Sequence, residues 1–208
     1  MVGALLFLLT GRSLSVKRKH MQKHKKILTL FTLLIGGMRM ASGETDNPLR
    51  PLVETSAQRL HIAESVALAK WDSGASVEDG PREAKVIESA VKDGNAVELD
   101  STQVEAFFRA QIEANKLVQY SLLADWRREG RAPVHAPVDL VKEVRPQLDE
   151  IEKRLIAELS GTLSVRSAIS CQLNVAKAVG EYMDAHKLKA DSRDAVALDR
   201  AMAATCIK

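Results

Sequence analysis

Two long cationic side chains, Arg59 and Lys70, fall on what their spacing predicts to be one face of one helix. They belong to the stretch LRPLVETSAQRLHIAESVALAKW, Leu49 to Trp71. In it Leu49, Leu52, Val53, Leu60, Ala63, Val66 and Ala67 recur at threes and fours, the period of an amphipathic helix. Arg59, Ala63, Val66 and Lys70 stand at i, i+4, i+7 and i+11. Eleven residues at about 100° each close to within about 20° of three full turns. The helical rise keeps the two Cα atoms about 16 Å apart, but both side chains are long enough to lean toward a common point. Alone, such a pair reads as two side chains snorkelling from the edge of an ordinary core stripe.

Other polar residues interrupt apolar seams further along. Gln111, Asn115, Gln119 and Leu122 stand at i, i+4, i+8 and i+11 beside Phe108 and Ile112. Amides in such a stripe bond one another, cap a neighbouring helix's carbonyls, or bind a ligand. Arg82 and Arg145 fall close to expected helix starts, where the helix dipole disfavours a cation. Together, Arg59, Lys70, Arg82 and Arg145 with neutral amides make a cationic pocket suited to a small ligand bearing carboxylates, because Arg offers paired donors to a planar carboxylate. No nucleophile stands out: Ser56, Ser121 and His61 have a spacing that neither makes nor excludes a triad. His61, His135 and His186 are scattered and give no metal signature, and Glu78 with Asp79 reads as capping chemistry. No Gly-rich phosphate loop is present.

The elements that must position these residues are helices. Thr45, Asp46 and Asn47 can cap the first, ahead of Pro48, and Asp72 to Ser76 ends it near Trp71. A second starts after Asp79 and stops at Asp93-Gly94-Asn95. A long third runs from Asp100 or Ser101 to about Arg128. The connection Gly130–Pro137 follows, and then a helix from Asp139 that Pro146 should bend or shift. A helix from about Ser164 to His186 and a last one from about Ser192 to Ala204 complete the chain. With no period-2 run and no repeat, the expectation is an all-α, single-domain bundle of about six helices with one long kinked core helix.

The formal charge of +3 misleads about partners. Residues 1–43 hold eight Lys and Arg and no acid, and without them the charge is −5, so nothing argues for nucleic acid. From Met21, MQKHKK, ILTLFTLLIGG and MRMASG follow one another as a basic segment, a short apolar segment and small residues, the order of an export signal. Cleavage after Ala41 or Gly43 fits. The apolar Met1–Gly11 is either part of a long leader or lies upstream of a true start at Met21, the reading we prefer. Both apolar segments are too short to span a bilayer, so no stable membrane insertion is expected after cleavage. The expectation is therefore a leader over 1–43 and one helical domain over 44–208, exported to the periplasm or beyond. Cys171 and Cys206 are the only cysteines. In an oxidising compartment such a pair usually bonds, the alternative being two buried thiols.

Three blocks in order, QRLHIAESVALAKW, VEDGPREA and AQIEANKLVQYSLLADW, resemble those of the exported chorismate mutases of the all-helical class. The likeness covers nearly all of residues 45–206. Its most specific part is the spacing of Arg59, Lys70 and Arg82, followed by Gln119 before Tyr120-Ser121. The trailing cysteines match that subclass's disulfide. The resemblance implies an isomerase that turns chorismate into prephenate by a Claisen rearrangement, without cofactor or covalent intermediate. It also implies a homodimer with each active site inside one protomer. Under it, Arg59 and Arg145 hold the two substrate carboxylates, and Lys70 and Gln119 donate to the ether oxygen. Arg82 lies near the hydroxyl and carboxylate end, and Glu83 with the Asp79 backbone receives the ring hydroxyl. Asn115 stands where relatives have a small hydroxyl residue that contacts a carboxylate, and Val86 where some have a polar one. The rival reading is a non-catalytic helical binding or scaffold protein whose seam cations form structural salt bridges.

Overall fold

The computed structural model describes residues 46–207, so Thr45 and the expected leader over 1–43 lie outside the described residues. Seven α-helices follow one another: α1 Arg50–Ser73, α2 Gly80–Ala96, α3 Ser101–Glu129, α4 Arg145–Gly161, α5 Leu163–Arg166, α6 Cys171–His186 and α7 Arg193–Met202. No strand occurs among the described residues, and the chain is all-α as expected.

α3 is the central element, with α1, α2 and α7 packed along it, and α1 in turn meets α4, α6 and α7. Its apolar side explains why: Val104, Phe107, Phe108, Val118, Leu122 and Trp126 are all buried. Phe107 meets Phe108 edge to face at 5.6 Å, and Trp126 meets Trp71 of α1 in the same way at 6.0 Å. Both α1 and α3 also bury small residues, with Ala63, Ala67, Ala110 and Ala114 at 2% exposure or less. Small side chains let two helices approach closely, which brings the polar residues on the same faces within bonding reach.

Capping side chains fix where the helices start. Asp79 accepts from the Arg82 amide and Asp100 from that of Gln103, both as the sequence suggests. Asn47 accepts from the Leu49 amide just ahead of α1. α1 closes on Gly74, whose φ of 66° suits a residue without a Cβ.

Three expectations need correcting. α2 does not stop at Asp93-Gly94-Asn95 but continues to Ala96. Gly94 sits inside it because a Cβ there would lie 2.8 Å from Val104 Cγ2 of α3, so the glycine permits close approach and does not break the helix. The irregularity near Pro146 is a π-helical turn, Leu140–Val144, whose start Asp139 caps by accepting from the amides of Val141 and Lys142. α4 then begins at Arg145 with Pro146 in its first turn, where a missing N–H costs nothing, while α3 runs unbroken for 29 residues. Finally, the expected single helix from Ser164 to His186 is two, split at residues 167–170. The cause is Arg166, which is 2% exposed. It donates to Thr205 O in the C-terminal tail and to Leu159 O in the last turn of α4, both at 2.9 Å, while its own carbonyl accepts from the Ile207 amide. A cation at the end of α4 also complements that helix's dipole.

Cys171 and Cys206 are bonded, with their Cα atoms 5.8 Å apart, joining the start of α6 to the tail that Arg166 holds. Closing a loop of about 36 residues contributes roughly 3–4 kcal/mol on the chain-entropy model. The double Cys171→Ser, Cys206→Ser variant should keep its helical circular dichroism at low temperature but melt roughly 6–16 °C lower. Reductant should lower the melting point of the native protein and leave that of the variant unchanged. Equal melting points would show that the bridge carries no stability.

Candidate active site

α1, the starts of α2 and α4, and the middle of α3 surround one cleft, partly open to solvent. Arg59, Lys70, Asp79, Arg82, Glu83, Asn115, Gln119 and Arg145 all line it, so the eight candidate residues, from four helices and one helix cap, come together. Its apolar wall includes Val66, Val86, Ile112 and Leu148. Five basic and two acidic side chains line the cleft, an excess of positive charge that suits a small anion.

Arg59 is buried, at 6% exposure, and one guanidinium nitrogen donates to Gln111 O at 3.2 Å. Burial lowers its pKa to about 10, the Glu152 carboxylate opposing and Arg82 adding to the effect, so it is charged at neutral pH. No carboxylate comes within 4 Å of it among the described residues. Its remaining N–H groups are available for a ligand.

Lys70, eleven residues on, donates to Val77 O at 2.7 Å, which leaves two of its three N–H donors. Burial pulls its pKa down, and Lys116 adds to this, while Asp79, Glu83 and Glu78 pull it up. Asp79 caps α2 with its side chain, and its own N–H reaches Glu83 Oε1 at 3.4 Å, in the manner of a capping box. Arg82 pairs loosely with Asp149 of α4 at 3.6 Å, and Arg145 forms no ion pair among the described residues.

The amide line on α3 is buried. Asn115 Nδ2 donates to Arg59 O across the α1–α3 interface at 3.1 Å, and Gln119 Nε2 donates to Asn115 Oδ1 at 2.7 Å. Gln119 Oε1 is buried with no hydrogen-bond partner. Gln111, one turn earlier, turns away from the cleft and donates to Ser56 Oγ and Ala201 O.

Two charged residues escaped the sequence reading. Lys116 lines the cleft at 12% side-chain exposure and pairs with Glu78 and Glu113 at 2.8 Å and Glu83 at 3.4 Å. Burial pulls its pKa down, but the hydrogen bonds to Glu113 and Glu78 and the charge of Glu83 outweigh it and hold the ammonium above its ordinary range. Glu78, read as capping chemistry, is instead held by Lys116 and by the Tyr120 hydroxyl at 2.8 Å, both from α3. Those pairings join residues 33 to 42 positions apart, so no local spacing announces them. Glu152 of α4 is 7% exposed, behind Arg59. Burial pushes its carboxyl up, a hydrogen bond with Ser89 opposes this, Asp93 and Asp149 reinforce it, and Arg59 opposes it. Among the described residues no three His, Cys, Asp or Glu side chains are grouped to hold a metal ion.

Known proteins share this chain's sequence and fold. Residues 46–120 match the family described as chorismate mutase type II. The secreted chorismate mutase of Mycolicibacterium smegmatis is 30% identical over 143 residues, which cover 69% of this chain and 78% of that protein. The crystal structure of chorismate mutase from Burkholderia phymatum is 40% identical with a TM-score of 0.74, over 78% of this chain and 98% of that one. The enzyme from Burkholderia thailandensis is 34% identical with a TM-score of 0.72, over 77% and 100%. Likeness of this extent, in sequence and fold together, makes the chain a member of the chorismate mutase family, in its all-helical class.

Proposed function

We propose that the cleft binds chorismate and that its side chains favour the compact, bond-exchanging geometry on the way to prephenate. The supporting observation is the excess of cations in one cleft that also holds two buried, mutually bonded amides. Arg59 and Arg145 bind the two carboxylates and hold a flexible diacid in the folded conformation that the rearrangement needs. As the ether C–O bond breaks and the new C–C bond forms, negative charge grows on the ether oxygen. Lys70 and Gln119 donate to it, and such donors favour the transition state over the ground state. Each has an N–H to give: Lys70 spends one on Val77 O and Gln119 one on Asn115 Oδ1. Arg82 lies toward the hydroxyl and carboxylate end, and Glu83 receives the ring hydroxyl together with the Asp79 amide, which exchanges its contact with Glu83 for the substrate. The chemistry is intramolecular, so these roles require neither an acid–base couple nor a cofactor.

The basic and apolar order of residues 21–43 and the secreted relatives support export, with the periplasm as destination, residues 1–43 as leader and 44–208 as the helical domain. A homodimer in which each protomer keeps a complete cleft fits, since all eight residues lie in one chain. No helix among the described residues is long and apolar enough to cross a membrane.

The purified protein should deplete chorismate, followed by its ultraviolet absorbance. Arg59→Ala and Lys70→Ala should each lower kcat/KM about 10²–10³-fold, the effect of losing one transition-state donor, with helical circular dichroism unchanged. Near-native kinetics in either variant would remove that residue from the mechanism.

Lys116→Met keeps most of the unbranched side chain but leaves Glu78, Glu83 and Glu113 without their shared cation. Losing these solvent-screened, charge-assisted hydrogen bonds should lower both kcat/KM and the melting point. A variant unchanged in both would reduce the cluster to surface decoration.

Gln119→Glu tests the donor assignment by pH. An amide donates at any pH, whereas a carboxyl donates only when protonated. The native kcat/KM should therefore vary little through this residue across about pH 5 to 8. The variant should be poor near neutrality, where its carboxylate faces an oxygen that is becoming negative, and recover as pH falls through the introduced pKa, which starts from about 4.3. Profiles that run parallel would mean that Gln119 does not face the ether oxygen.

A further inference from the structure

We infer that Asn115 acts as a positioning residue that sets which end of the Gln119 amide is turned toward the reacting oxygen, and does not itself hold a substrate carboxylate. The inference rests on the proposed role of Gln119 as a donor to the ether oxygen. The two ends of a glutamine side chain are nearly equal in size, so packing alone scarcely distinguishes the productive orientation from its flip. Hydrogen-bond logic does distinguish them. Arg59 O is a backbone carbonyl and only accepts, so the Asn115 atom 3.1 Å from it is Nδ2. That leaves Oδ1 as the end facing Gln119, and Oδ1 also only accepts, so the Gln119 atom 2.7 Å away is Nε2. A carbonyl of α1 thus dictates, through Asn115, the sense of an amide one turn further along α3.

The flipped state is costly on both counts. It would set Gln119 Oε1 against Asn115 Oδ1, two acceptors at hydrogen-bond distance, and it would turn an oxygen toward an oxygen that gains negative charge. The whole relay is buried, with Asn115 at 8% and Gln119 at 4% exposure, so water does not compete for these bonds. Gln119 Oε1 has no partner, so the bond from Asn115 is what fixes this side chain's sense. A serine or threonine here would not do the same, because a hydroxyl rotates and both donates and accepts. The longer amide is a device for orientation, with one Nδ2 N–H spent on Arg59 O and its Oδ1 on Gln119.

A double-mutant cycle between the two residues, read as separate kcat and KM values for chorismate, tests this. Asn115→Ala and the milder Asn115→Thr should lower kcat about tenfold with KM within about twofold, because the donor that matters only in the transition state becomes misoriented. Gln119→Ala should lower kcat by more, about 10²–10³-fold. In the Gln119→Ala background either Asn115 substitution should change kcat by less than about twofold, since residues that act through one another are not additive. A raised KM with kcat retained in the Asn115 variants would restore Asn115 as a direct carboxylate contact and overturn the inference. So would an equal loss of kcat in both backgrounds. If Gln119→Ala instead keeps its native kcat, the donor role of Gln119 falls and the inference falls with it, an outcome distinct from the other two. Circular dichroism of each variant, with Asn115→Thr kept in hand should Asn115→Ala fail to fold, separates these results from loss of structure.

Discussion

The site depends on one guanidinium taken out of water. Arg59 is buried between α1 and α3 with a single protein hydrogen bond, to Gln111 O, and no carboxylate within 4 Å among the described residues. Burying a charge with so little compensation is expensive, and its lowered pKa of about 10 reflects that cost. The longer-range field of Glu152 offsets part of it. What remains is an under-satisfied cation lining a cleft, where an anionic ligand would offset part of that cost.

The same interface explains why the amides are where they are. Asn115 of α3 reaches across to the Arg59 carbonyl of α1, and both helices bury alanines, at positions 63 and 67 and at 110 and 114. A larger residue at any of these buried positions would overpack the bundle. The rest of the bundle braces that arrangement: the Trp71–Trp126 contact at one end, Arg166 and the disulfide at the other, so the site rests on rigid helices.

Legibility in the sequence followed the range of the interaction. The i, i+4, i+7, i+11 relation of Arg59 and Lys70, the caps at Asp79 and Asp100 and the amide line on α3 are local, and periodicity exposed them. Arg82 and Arg145 were visible because a cation at a helix start is locally unfavourable. Lys116 was not, since its three carboxylates come partly from another helix and its own position, next to Asn115, reads as an ordinary exposed lysine. The break between α5 and α6 and the continuation of α2 through Gly94 were hidden for a similar reason. One depends on Arg166 meeting the C-terminal tail, the other on Val104 of α3, and neither contact is written in the spacing around it. The resemblance to a known family named the candidate residues, but the bonds that tie Asn115 to Arg59 O and to Gln119 lay outside what it implied.

The arrangement also bears on why so little conventional catalytic machinery is needed. An intramolecular rearrangement exchanges no proton with its surroundings, so titratable groups serve here as fixed charges, and what counts is that each points the right way before substrate binds. Helix faces provide that at little conformational cost, because their side chains are already restrained by packing. The residues drawn from helix starts obey the same rule with a different device. Asp79 and Glu83 bond to one another's end of α2, and Glu78 is clamped by Lys116 and Tyr120 from α3, so the segment that carries Val77, the acceptor for Lys70, is held against the cleft. Lys70 is thus anchored on one N–H and presented on the other two. Lys70, Asn115 and Gln119 share one arrangement: each spends part of its hydrogen-bonding capacity on the scaffold and keeps further donors beside the cleft.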